Sequence, residues 1–103
     1  MLSPLWMDCV TYWHELGNKR FLFGTVRHVH VEHAEEDAFS TVGPEKRSVL
    51  KVWMRGECDI EPGDWIVDGE HHDGNPPRSA FRVAHVATFT MAGRIHHWEI
   101  TAR

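Results

Sequence analysis

No stretch of apolar residues in this chain approaches the roughly 18–20 that a membrane-spanning helix requires, so no helical span is expected. Cysteine is scarce: Cys9 and Cys58 stand alone with no C-x-x-C spacing. Neither a disulfide framework nor a thiolate zinc site is expected, and both read as reduced, buried thiols in a cytosolic setting. Positive charge is not in excess. With 11 Lys and Arg against 15 Asp and Glu, the net charge of −4 argues against a nucleic-acid or membrane-surface binder. There is no G-x-S-x-G motif, and neither cysteine has activating neighbours. Gly63 and Gly69 serve turns with no helix start behind them, which excludes a phosphate-cradling loop. The N-terminal Met1-Leu2-Ser3-Pro4-Leu5-Trp6 lacks the charged and long apolar regions of a secretion signal. Internal repeats, low-complexity tracts and heptads are also missing.

What is present is a chain of 103 residues, enough for one domain with one modest core. Five Trp in that length suit both a small core and an interface. The organising stretch runs from Ile60 to Glu70. Pro62-Gly63 suits the middle of a type II turn, because Pro presets φ at the first central position and Gly accepts φ > 0 at the second. Asp64 closes that turn, and Trp65-Ile66-Val67 is a brief apolar run of high β preference. Asp68-Gly69 is the next turn signal.

Around this stretch the pattern is all strand. The segment 8–16 fits helical spacing at Val10, Trp13 and Leu16 but is strand-like in propensity at Val10-Thr11-Tyr12-Trp13, which favours the first arm of a hairpin turning at Gly17-Asn18 over a helix. Phe21 to His33 is the longest strand candidate, and a break in its alternation near Arg27 predicts a bulge. The acidic Ala34-Glu35-Glu36-Asp37-Ala38 reads as the opening of a long loop over residues 35–46. Leu50, Val52 and Met54 alternate inward on the next strand. A polar loop spans residues 71–78. Phe81 to Phe89 and Arg94 to Thr101 form the last two strands, turned at Met91-Ala92-Gly93. Five or six short strands without a helix predict an all-β fold, a small barrel or barrel-like sandwich with long loops. Leu50, Val52, Trp65, Val67, Val83 and Trp98 are its expected core.

Nine histidines invite a metal reading. His28 and His30 share a strand face, Glu35 or Glu36 supplies an acid, and Gly63-Asp64 followed by His72 loosely resembles a cupin's second motif. The glycine spacing before His28 and the missing Pro after Asp64 do not fit that motif. In His71-His72 and His96-His97, strand neighbours point to opposite faces, so neither pair is expected to chelate one ion. The carboxylates Asp59, Glu61, Asp64, Asp68 and Glu70 read as solubilising turn residues. The expectation is no catalytic residue, no bound metal and no cofactor, with a His-ligated cupin-like barrel as the alternative.

Three pieces resemble a known group: Val26-Arg27-His28-Val29-His30-Val31-Glu32, the segment Ile60 to Glu70, and His96-His97-Trp98-Glu99-Ile100. In this order and chain length they are similar to small structural proteins encoded in the neck-gene region of tailed-phage and prophage genomes. The resemblance covers roughly residues 20–103. It implies a non-enzymatic head–tail connector component: an adaptor, stopper or head-completion protein. Such a subunit forms a homo-oligomeric ring in the virion after assembly in the host cytoplasm. Its partners are a portal or adaptor protein and tail proteins, with no membrane, and DNA passes through the lumen without sequence-specific binding. Partner contacts are expected at Glu35, Glu36, Asp37 and Phe39 and at His71, His72, Asn75 and Arg78. Pro62, Gly63, Asp64 and Gly69 are expected to be structural turn residues.

Overall fold

The computed structural model describes residues 6–103. Residues 1–5 lie outside them, and with them the expectation that the N-terminus is not a secretion signal. Six strands follow in order: β1 (Asp8–Gly17), β2 (Arg20–Ser40), β3 (Gly43–Met54), β4 (Trp65–Asp68), β5 (Phe81–Met91) and β6 (Arg94–Ala102). They close into an antiparallel barrel in the order β1-β2-β3-β6-β5-β4, with β4 returning to pair with β1. The all-β barrel expected from strand spacing is the fold observed, and no helix occurs among the described residues.

Local chemistry sets the corners. Asn18 and Lys19 both take positive φ (51° and 59°), as do Ala92 and Gly93 (53° and 75°). These two-residue turns match the right-handed twist of the strands they join. At 21 residues, β2 would reach nearly 70 Å if straight, at roughly 3.3 Å per residue, yet the longest dimension of the molecule is 47 Å. It therefore bends. The ladder slips between Asp8↔Val29 and Cys9↔Arg27, leaving His28 unpaired at φ 60°. This is the bulge anticipated near Arg27, and it bends β2 from its β1 partner toward its β3 partner.

The interior is filled by Val10, Val29, Leu50, Val52, Met54, Ile60, Ile66, Val83, Ile100 and Ala102, with Tyr12, Val31, Phe81 and Trp98 partly buried against them. A fully buried Leu, Ile or Val contributes about 1.5–3 kcal/mol, so these few side chains dominate the stability of a small barrel. Leu50, Val52, Val67 and Val83 are buried as expected, while Trp65 and Trp98 are only half-buried. On β4 it is Ile66 that enters the core. Trp65 points the other way, and the Arg82 guanidinium lies 4.8 Å over its ring. Trp98 reaches out to donate its Nε1–H to the Gly56 carbonyl at 2.8 Å.

The region 35–46 is not a loop. β2 continues to Ser40, turns tightly and returns as β3, with Glu35↔Ser48, Asp37↔Lys46, Phe39↔Pro44 and Ser40↔Gly43 in register. The polar composition that suggested a loop belongs to a two-stranded ribbon exposed mainly on one face, where Asp37 faces Lys46 and Glu36 faces Arg47 while Ala38 is buried. Gly43 (φ 117°) supplies the turn that no Asn-Gly signal announced.

Candidate functional site

The Pro-Gly turn is built as its residues dictate. Asp64 N–H donates to the Glu61 carbonyl at 3.1 Å, closing the turn, and Gly63 sits at φ 96°. Gly63 N–H then donates to the Val83 carbonyl, and Val83 N–H to the Asp64 carbonyl, both at 2.8 Å, which docks the turn onto β5. Asp64 is 2% exposed and its side chain uses both oxygens. Oδ2 accepts from the Glu61 N–H at 2.9 Å, and Oδ1 accepts from His14 Nδ1 at 2.7 Å. Asp64 is thus a brace joining the turn to β1.

Next to the brace lies an open cleft of about 220 Å³ lined by Tyr12, His14, Leu22, Asp59 and Glu61. The hydrogen bond to Asp64, reinforced by its charge, raises the His14 pKa above the ordinary imidazole value. Burial raises the Tyr12 phenol, with Asp59 and Asp64 adding to it, and burial also raises the Cys58 thiol. A raised thiol stays protonated and is a poor nucleophile. The dyad of His14 and Asp64 thus has a base oriented by a carboxylate, while the Cys58 thiol is held in the unreactive form.

The residues expected to meet partners separate into two structures. Residues 71–78 do lie in a loop, and that loop is fastened over the outside of β1. Thr11 Oγ1 donates to the Gly69 carbonyl at 2.8 Å and accepts from the His71 N–H at 3.0 Å. Trp13 Nε1–H donates to the Asp73 carbonyl at 2.9 Å, with His71 edge-on to its ring. Trp13 and Thr11 are fully buried beneath this cover. His72, Asn75 and Arg78 remain exposed on its outer side.

Glu35, Glu36, Asp37 and Phe39 lie instead on the ribbon formed by β2 and β3. Glu36 pairs with Arg103, Asp37 with Lys46, and Phe39 stands 81% exposed next to a turn where Val42 is 92% exposed. A second ribbon, of β5 and β6, presents Phe89, Met91 and Ile95. The strands β3 and β6 pair only from Leu50↔Ala102 to Met54↔Trp98. The first ribbon continues past the Ala102 end of that contact and the second past the Trp98 end. The two arms therefore project in opposite directions from the barrel, each with apolar side chains in water. Sequence reasoning named Phe39 but missed Val42, Met91 and Ile95, because alternation shows which residues share a face and not where the barrel stops.

No family model, curated protein or solved structure matches this chain.

The histidines of the metal alternative are dispersed. His28 occupies the bulge, His30 lies over Trp53 with Glu32 at 3.1 Å, Glu36 is taken by Arg103, and His72 lies 3.8 Å from Glu70. Among the described residues, no three His, Cys, Asp or Glu side chains converge as a metal site. His96 and His97 behave otherwise than strand parity predicts: their Nδ1 atoms lie 2.8 Å apart.

Proposed function

We propose that this chain is a structural subunit of a tailed-phage neck, forming a ring between portal and tail as an adaptor, stopper or head-completion protein. The observation that carries the reading is the pair of oppositely directed arms with exposed apolar tips, Phe39 and Val42 on one and Phe89, Met91 and Ile95 on the other. A subunit that joins unlike bodies above and below itself, and binds ring neighbours through heterologous contacts, needs different adhesive surfaces on its opposite sides. Phe, Val and Met exposed at the ends of ribbons bury little apolar area in the chain itself, and such side chains suit a protein–protein interface. The arms also differ in charge. The first carries Glu35, Glu36, Asp37 and Glu45 against Lys46 and Arg47, whereas the second carries Arg94, His96 and His97. Unlike ends favour unlike partners. The acid-rich composition suits a lumen through which DNA slides, since basic residues would grip phosphates.

The reading is tested with F39S combined with V42S, in complementation of the phage that encodes the chain. Both side chains are exposed, so the variant should melt within a few degrees of wild type, a surface change of about 0.5 kcal/mol or less. Heads and tails should nevertheless remain unjoined in electron micrographs. Infectious, joined particles from this variant would remove the arm from the interface.

A further inference from the structure

Strand parity sends neighbouring histidines to opposite faces, but at His96 and His97 the ladder breaks. Phe89 pairs with His97 and Thr90 with Ile95, so His96 is an extra residue in a β-bulge. The bulge turns the two rings together, with Nδ1 atoms 2.8 Å apart and ring planes at 82°. His97 is held in place by stacking on Phe89 at 4.7 Å and by the edge contact with Trp6 at 6.2 Å. Two neutral imidazoles protonated on Nε2 would direct two lone pairs at each other here. One ring protonated on Nδ1 relieves this by donating to the other in an ordinary hydrogen bond, and a metal ion that takes the place of that hydrogen meets both lone pairs.

We propose that His96 and His97 form a cis-bidentate site for a divalent late transition metal, nickel or copper. With imidazole–metal bonds of about 2.0–2.1 Å, nitrogens 2.8 Å apart subtend roughly 85–90° at the ion. That is the cis angle of square-planar or octahedral coordination, and falls short of the roughly 109° of tetrahedral zinc. Stacking and the bulge pre-set the rings, so little ordering is needed on binding. The other coordination positions face solvent on an arm that projects from the barrel, open to water or to a donor from another molecule. The site stands on the bulge alone and does not depend on the neck reading.

The test is calorimetric titration of the full chain, without an affinity tag, with nickel chloride at about pH 8, because ligation needs neutral imidazole. One ion per chain should bind at the tightest step. H96A and H97A should each weaken that step by at least about tenfold, since each leaves a single imidazole in place of a linked pair. H72A, at the other adjacent pair, should leave it unchanged. Since His97 also stacks on Phe89, wild-type protein supplies a check without variants: substoichiometric nickel should broaden the ring resonances of His96 and His97 first. Undiminished binding by H96A or H97A, or broadening that starts at other histidines, overturns the assignment.

Discussion

Replacing Gly63 with alanine isolates backbone strain from side-chain packing. Gly63 lies at φ 96°, and a Cβ built there meets no atom within 4 Å. Steric crowding is therefore absent, and the whole cost is conformational. A left-handed backbone costs an L-residue roughly 1–2 kcal/mol, and 96° lies beyond the comfortable part of that region. Losing glycine's freedom in the unfolded chain returns about 0.4–1 kcal/mol. The net loss should be about 1 kcal/mol for G63A and about 2–3 kcal/mol for G63V, whose branched side chain resists positive φ further. For a chain of this size that corresponds to a drop in Tm of about 4–8 °C per kcal/mol. The turn carries Gly63 N–H to Val83 and Val83 N–H to Asp64, so the strain falls on the β4–β5 junction. Circular dichroism melts of G63A, G63V and a G74A control measure this, because Gly74 has equally open space and no positive φ. Equal melting temperatures for G63A and G74A would refute the reasoning.

The His14–Asp64 pair makes a pH prediction. His14's folded pKa lies above its ordinary 6.5, so its contribution is complete below 6.5 and fades as pH rises through the folded value. The stability difference between wild type and H14Q should accordingly shrink on going from about pH 6 to pH 8.5 in urea titrations; a difference that grows with pH would contradict it. W13F should free the cover over β1 by removing the hydrogen bond to the Asp73 carbonyl, at a cost of about 1–2 kcal/mol. Amide exchange over residues 71–78 should accelerate in W13F, and unchanged exchange would show that the loop is fastened by other contacts.

The fold was legible where punctuation and alternation agreed. Pro62-Gly63 is a turn, the one expected at Gly17-Asn18 falls one residue later at Asn18-Lys19, that expected at Met91-Ala92-Gly93 falls on its last two residues, and Leu50, Val52 and Met54 all face the core. Legibility failed where the pattern depends on what covers a strand. Residues 35–47 are charged because most of their ribbon is exposed, with Ala38 the buried exception, which from composition looks like a loop. Trp65 reads as core from its apolar run, but the parity of β4 gives that place to Ile66. The brace between His14 and Asp64 spans 50 residues and leaves no local signal. The pairing of His96 with His97 was hidden for the opposite reason. Parity is a sound rule for a regular strand, and only the cross-strand register shows that this strand is irregular.

The central claim, a proposed subunit that joins two bodies through arms at its two ends, is tested most directly by deleting its gene from a phage or prophage genome found to encode it. Lysates are then examined by electron microscopy and complemented with the wild-type chain. The account predicts DNA-packaging heads and free tails that fail to join, with infectious particles restored by the wild-type chain. Normal joined particles from the deletion would contradict it.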